Sequence, residues 1–318
     1  MLLDILFILV GLALLVKGGD YLVDGSVAIA KRARLSEMVI GLTVVGFGTS
    51  MPELLVSAQS AWMGSSGIAI GNVVGSNISN IALILGLTAM IHVIPSQKIT
   101  LHLDLPFMLL SFVLFVAIAM TGSVGRVAGV IGVLMLICFV AYQVRQSRKA
   151  SKAQEALAKD NPDASAEPMA LWKATLLVIV SFLAMVFGAN ILVEGASNIA
   201  RLLGVTDRII GLTIVAVGTS LPELFSSVMA AVKGKTDMAI GNIIGSGTFN
   251  ILSVIGISAI ITPITGTNIG FAFDYGLMVI LGVLLWVFLR SKYVLERWEG
   301  FVLTAIYVAY LTKLIIFG

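Results

Sequence analysis

Residues 40–80 read IGLTVVGFGTSMPELLVSAQSAWMGSSGIAIGNVVGSNISN, and residues 210–250 read IGLTIVAVGTSLPELFSSVMAAVKGKTDMAIGNIIGSGTFN. The two stretches align without a gap at a shift of 170 residues, with 21 identities in 41 positions. Self-similarity of this length means that one structural unit occurs twice in the chain. Agreement is strongest in G-T-S-x-P-E (Gly48–Glu53 and Gly218–Glu223) and in A-I-G-N-x-x-G-S (Ala69–Ser76 and Ala239–Ser246). Fainter echoes lie outside these blocks, where Asp24 matches Glu194, Glu37 matches Asp207 and Asp104 matches Asp274.

Both copies sit in a very apolar chain. Of its 318 residues, 58% are hydrophobic and 12% charged, and the mean hydropathy is +1.06. Soluble domains carry roughly 45–50% apolar and about 25% charged residues. The composition therefore excludes a cytosolic enzyme, a nucleic-acid binder and a disordered chain. A net charge of +3 is too small to imply a polyanionic partner. The single cysteine, Cys138, excludes an internal disulfide framework and a Cys-rich metal site. The 32 glycines suit a membrane bundle.

A spanning helix needs about 20 mostly apolar residues. Ten stretches qualify, near 2–24, 38–62, 68–91, 103–121, 125–144, 171–193, 208–232, 237–261, 271–289 and 298–317. The first has no basic leading segment and carries Asp4, so a retained helix is expected rather than a cleaved signal. The expected fold is an all-α polytopic membrane protein, with ten transmembrane helices as two inverted five-helix repeats. The first repeat covers 1–144, a polar cytoplasmic linker 145–170, and the second repeat 171–318. Five is odd, so the second copy enters the bilayer upside down. Inverted repeats characterise secondary transporters, whose sites lie near the midplane between the copies. With the N-terminus outside, 15 of the 20 Lys and Arg residues fall on the cytoplasmic side. Arg126, Arg201, Arg208 and Lys313 fall outside, and Lys17 lies within the first helix. This bias places both termini outside.

Glu53 lies about 15 residues, or roughly 22 Å, into the second span at 1.5 Å per residue. Glu223 lies equally deep in the seventh span, approached from the other side. A charge at the bilayer centre costs about 2.5–3.5 kcal/mol on the insertion scale. No Lys or Arg lies at matching depth, so the expected partner is a mobile cation or a proton. Pro52 and Pro222 precede the two glutamates and break the helical hydrogen-bond ladder. The break frees the Gly48 and Gly218 carbonyls and opens those of Thr49 and Thr219. The hydroxyls of Thr49, Ser50, Thr219 and Ser220 add further hard oxygens. Calcium takes about six to eight oxygens, and two carboxylates neutralise it. Soft metals would want His or Cys, which are lacking at this depth.

Gly71, Gly75, Gly241 and Gly245 form small-residue faces for close helix approach. Asn72, Ser76 and Asn80, and likewise Asn242, Ser246 and Asn250, recur on one helical side. Ser76, Asn80, Ser246 and Asn250 are read as ion ligands. For Asn72 and Asn242, ligation and simple helix-to-helix bonding both stay open.

Doubled G-T-S-x-P-E and G-N-x-x-G-S motifs in inverted halves resemble the two alpha-repeats of the sodium/calcium exchanger (cation/calcium antiporter) superfamily. The resemblance covers both repeats and the ten-span layout, leaving out only the linker. It implies one Ca²⁺ site at Glu53 and Glu223 with the carbonyls of Thr49 and Thr219. It implies Na⁺ sites at Ser50, Ser76 and the Gly46 carbonyl, and at Ser220, Ser246 and the Ala216 carbonyl. Asn80 and Asn250 would complete the centre. It further implies that the first and sixth helices slide as a pair against the other eight. Many members carry Asp where this chain has Asn250. With two carboxylates, one Ca²⁺ leaves the site neutral and three Na⁺ leave about +1, which argues against potassium co-transport. Gly247 stands where the first copy has Asn77, a difference assigned to packing.

The function expected is Na⁺/Ca²⁺ antiport in a bacterial or archaeal cytoplasmic membrane. The alternatives are a Ca²⁺/H⁺ antiporter of the same fold and, from another class, a cation channel or intramembrane enzyme. His92 and His102, in a loop and at a helix start, are not placed to serve as a catalytic base. No cofactor and no nucleic-acid or protein partner is implied; Na⁺, Ca²⁺ and the lipid bilayer are the partners. Asp104 and Asp274 read as helix-dipole partners, and Ser36 and Thr206, before Glu37 and Asp207, as N-caps. Asp24 and Glu194 end their helices and are candidates for lining the ion's approach. Trp62, Trp172, Trp286 and Trp298 read as interfacial anchors.

Overall fold

The computed structural model describes residues 1–157, 169–204 and 216–317. These residues are helical apart from two short antiparallel strand pairs. The helices are α1 (Leu2–Ala33), α2 (Glu37–Thr49), α3 (Met51–Trp62), α4 (Ser66–Ile91), α5 (Thr100–Ala119) and α6 (Arg126–Leu157). They continue with α7 (Leu171–Leu202), α8 (Ala216–Gly218), α9 (Leu221–Val232), α10 (Thr236–Ile261), α11 (Ala272–Lys292) and α12 (Arg297–Phe317). Among the described residues, eight helices are long and apolar enough to cross a membrane, and the bent pair α2–α3 makes a ninth. The chain is a multi-pass membrane protein.

Residues 208–215 of the expected seventh span lie outside the described residues, as do Thr206, Asp207 and linker residues 158–168. Three expected boundaries change. α1 and α7 run on to Ala33 and Leu202, so Asp24 and Glu194 lie inside helices and not at their ends. Hydropathy marks the apolar stretch of a helix, whereas backbone hydrogen bonding carries these two past it. α6 likewise continues through Leu157, so the first part of the 145–170 stretch is helical. Ser147 holds it there by accepting a bond from the Ser36 backbone N–H at 2.7 Å.

The duplication persists in the structure. At the 170-residue shift, α3 matches α9 and α4 matches α10, end for end. Each of the long pair carries a π-helical turn at the same place, Asn80–Leu85 and Asn250–Ile255. Strand β1 (Ile94–Pro95) pairs with β4 (Val294–Leu295), and β2 (Ser123–Val124) pairs with β3 (Ile264–Thr265). Both pairings join a loop of one copy to a loop of the other.

α4 and α10 form the centre. Their apolar windows are 72% and 89% buried, against 22% for α1, α6, α7 and α12, which turn Leu, Ile and Val outward as lipid-facing helices do. α6 packs on the C-terminal half of α10, and α12 on that of α4. At these crossings glycine meets glycine: a Cβ on Gly300 would lie 2.5 Å from the Gly86 carbonyl, and one on Gly129 2.4 Å from that of Gly256. α1 and α7 pack antiparallel along their length and touch the rest mainly through α2, α8 and α9. A Cβ on Gly188 would fall 2.8 Å from Leu14 Cβ and 2.9 Å from the Gly11 carbonyl. In membranes such close backbone approach replaces the hydrophobic effect as the packing force.

Gly188→Leu is therefore expected to lower the unfolding midpoint in detergent, since overpacking costs about 1–3 kcal/mol. Gly67→Ala, whose Cβ meets no described atom within 4 Å, is expected not to lower it.

Candidate ion-binding site

The α2–α3 span bends by 45° at Ser50. Pro52 in the first turn of α3 has no N–H to donate to the preceding helix, so a new helix starts instead of the old one continuing. Ser220 and Pro222 repeat the break before α9. The break places Glu53 and Glu223 in the first turns of α3 and α9. There the unpaired N–H groups and the positive end of the helix dipole favour negative charge. Two helix N-termini thus open in the interior of the bundle, each with a carboxyl on its first turn.

Glu53 is 0% exposed and Glu223 1%. The two carboxyls are near enough to act on each other coulombically, and no Lys, Arg or His among the described residues acts on either. The Ser76 hydroxyl donates to Glu53 Oε1 at 3.5 Å, and Oε2 has no partner. Neither oxygen of Glu223 meets a hydrogen-bond partner in good geometry, although the Thr49 hydroxyl lies close enough to influence it. Ser50 Oγ, Ser220 Oγ, both side-chain polar atoms of Asn80 and Asn250 Oδ1 are also buried without partners. Buried polar atoms are nearly always hydrogen-bonded. Buried carboxyls and buried hydroxyl and amide oxygens of this kind are the hard donors that a cation takes as ligands.

Packing explains how the two copies converge. α3 lies against the π turn Asn250–Ile255, and α9 against Asn80–Leu85, so each glutamate-bearing helix meets the turn that the other copy's asparagine begins. Gly241 and Gly245 bring α10 onto α2: a Cβ on Gly245 would lie 2.3 Å from the Leu42 carbonyl. The residues that repeat Met38–Leu42 are 208–212, so the matching partners of Gly71 and Gly75 lie outside the described residues. At this seam Thr49 Oγ1 is 3.3 Å from Asn242 Oδ1 and 3.4 Å from Ser246 Oγ. Ser246 also donates to the Gly46 carbonyl at 3.4 Å. Thr219 and Ala216 stand on the corresponding break of the second copy, beside Ser220.

The question left open for Asn72 and Asn242 falls to the structural side. Asn72 Nδ2 donates to the Glu53 carbonyl at 3.2 Å and to Ser57 Oγ at 2.9 Å. Asn242 Nδ2 lies 3.5 Å from the Glu223 carbonyl and 2.9 Å from both Ser226 and Ser227 Oγ. These amides hold the first turn of each broken helix in place. The serines were missed, although Ser57 and Ser227 are identical at the repeat shift. Ser36 caps α2 as expected, accepting from the Val39 N–H. Asp104 does not cap its helix: it is buried and accepts from Gln143 Nε2 of α6, because a π turn over Thr100–Asp104 carries it inward. Asp24 is paired with Lys233, which also bonds Asp20, at 2.7 Å each. This tie of α1 to the end of α9 was not anticipated. A cavity of about 130 Å³, lined by Pro52, Pro222, Thr219, Asn190 and Val193, reaches both breaks from the α7 side.

Glu53→Gln and Glu223→Gln remove mutual repulsion between buried charges. Each is expected to raise the unfolding midpoint measured in chelator, by about 1 kcal/mol or more of stability, and to lose the further rise that added cation gives the native chain. Differential scanning fluorimetry in detergent reads both.

The model of the family described as sodium/calcium exchanger protein matches residues 3–147 and 173–316. The chain is 35% identical to the sodium/calcium exchanger MaX1 of Methanosarcina acetivorans, over 98% of each chain. It is 37% identical to the putative antiporter CaxA of Alkalimonas amylolytica, over 83% of this chain and 82% of that one. The solved structure of the sodium-calcium exchanger NCX_Mj soaked with Na⁺ and Sr²⁺ superimposes with a TM-score of 0.83 at 31% identity, covering 98% of this chain and 99% of that chain. By family match, sequence and fold alike, the chain belongs to the sodium/calcium exchanger family.

Proposed function

We propose that the protein is a Na⁺-driven Ca²⁺ antiporter working by alternating access at a midplane site. The observation that carries this reading is the pair of buried carboxyls Glu53 and Glu223, one from each copy, with unpartnered buried oxygens at Ser50, Ser220, Asn80 and Asn250 and no cationic side chain acting on either carboxyl among the described residues. In this reading Ca²⁺ lies between Glu53 and Glu223, with the carbonyls of Thr49 and Thr219. Ser50, Ser76 and the Gly46 carbonyl, and Ser220, Ser246 and the Ala216 carbonyl, hold Na⁺ on either side. Asn80 and Asn250 complete the centre. Hard oxygens in this number suit Ca²⁺ and Na⁺ and do not suit soft metals. The relatives' names support the same cargo, since MaX1 and NCX_Mj are both sodium/calcium exchangers.

The membrane arrangement in this reading has ten spans as two inverted five-helix repeats, 1–144 and 171–318, joined through 145–170. Both termini face outward, in the cytoplasmic membrane of a prokaryote. The antiparallel packing of α1 on α7, the matching helix of the second copy, supports the inversion. The charge bias supports the orientation. The first and sixth helices, α1 and α7, sliding as a pair against the other eight, supply the two access states.

A Ca²⁺/H⁺ antiporter of the same fold is the second reading. It is favoured by one observation: both carboxyls are buried without a counter-charge among the described residues, a setting in which protons are also carried. The abundance of hydroxyl and amide oxygens favours sodium, because a proton cycle does not need them.

Reconstitution into liposomes separates the two. ⁴⁵Ca²⁺ uptake is expected under an outward Na⁺ gradient and not under an outward H⁺ gradient, and to vanish in Glu53→Gln and Glu223→Gln. Uptake driven only by H⁺ would move the protein to the second reading. Flux with no gradient coupling would mean a channel.

A further inference from the structure

The two central asparagines are not equivalent, and the difference begins at positions 77 and 247. In the first copy Asn77 is fully buried on α4. Its Oδ1 accepts from Nδ2 of Asn250 at 3.3 Å, and its Nδ2 points at the sulfur of Met278 on α11 at 3.8 Å. In the second copy the matching residue is Gly247. A Cβ there would lie 2.9 Å from the sulfur of Met108, and Met108 is the repeat mate of Met278. The same thioether that receives an amide in one copy fills the space of the missing side chain in the other. Asn80 accordingly has no hydrogen-bond partner on either side-chain atom, whereas Asn250 is engaged through Nδ2 and lacks a partner only at Oδ1.

We propose that Asn77 is a positioning residue for the ion site, which sets the sense of the Asn250 amide so that its carbonyl oxygen, and not its NH₂, is offered to the cation. The proposal rests on the reading of Asn250 as a ligand. An asparagine amide has a donor end and an acceptor end of nearly equal size, and a cation tolerates only the acceptor. Shape alone does not choose between them. The thioether is an acceptor without a hydrogen to give, so Asn77 turns its NH₂ toward Met278. That turns Asn77 Oδ1 toward Asn250, which can satisfy it only with its own NH₂. Reversing Asn250 would set two carbonyl oxygens against each other and put an NH₂ dipole against the ion. The chain of three groups thus reads one way, from sulfur to amide to amide to site. Asn80, lacking such a partner, takes its orientation from whatever occupies the site.

The test is a double-mutant comparison read as the half-saturating Ca²⁺ concentration for ⁴⁵Ca²⁺ uptake into liposomes loaded with Na⁺. Asn77→Leu in the native chain is expected to raise that concentration about tenfold, equivalent to about 1.4 kcal/mol, with the maximal rate within about twofold. In an Asn250→Asp background Asn77→Leu is expected to change it less than about twofold, because a carboxylate presents an oxygen whichever way it turns. Should Asn77→Leu fail to purify as a folded protein, Met278→Leu carries the test. It keeps core volume and removes the acceptor, and is expected to act in the same direction and to fall silent in the same background. Equal losses in both backgrounds would mean that Asn77 acts through packing, which overturns the proposal. No loss in either background, with Asn250→Leu impaired, overturns the positioning role and leaves the site reading standing. An unimpaired Asn250→Leu would bring down the site reading itself.

Discussion

Two carboxyl groups buried within coulombic reach of each other, with no basic side chain acting on them among the described residues, are the constraint to which the rest of this molecule answers. In a low-dielectric interior such a pair opposes folding unless something offsets it. The chain supplies a partial answer from its backbone, by breaking two spans so that each glutamate begins a helix whose N–H groups face it. It supplies a second from the hydroxyls of Ser76, beside Glu53, and Thr49, beside Glu223. Among the described residues no fixed positive charge acts on the carboxyls, which is what a site for an exchangeable cation requires and a structural ion pair does not. A resident lysine would satisfy the carboxyls permanently and leave nothing to exchange.

Much of this was legible from the residues because the signal was local or doubled. A gapless repeat of 41 positions announces two copies, and a proline directly before a glutamate in an apolar span announces a broken helix with a buried charge. The bundle class and the depth of Glu53 follow from hydropathy and helical rise alone. Other features were not legible, for physical reasons. The helical continuations to Ala33, Leu157 and Leu202 depend on backbone bonding and tertiary ties, not on apolarity. The π turns at Asn80 and Asn250 are backbone adjustments with no residue signature. Asp104 carries the mark of a dipole partner in sequence and is instead bonded across to α6.

The departure at position 247 is instructive in the same way. A glycine opposite an asparagine reads as slack in the packing when only the two copies are laid side by side. Its meaning depends on Met108 and Met278, which come from another helix of the opposite copy. Pairwise comparison of the copies identifies where symmetry fails. Only the fold identifies what fills the gap.

The crossings of α6 on α10 and of α12 on α4 bear on how the protein is made. Gly86 leaves the ribosome long before Gly300, the residue whose backbone it must meet. During that interval the Gly86 face of α4 lacks the helix that covers it. The burial that defines the centre is thus a late event in biogenesis, completed only when the last helix arrives. A translation product halted before α12 would leave that face of α4 uncovered, a natural target for membrane quality control.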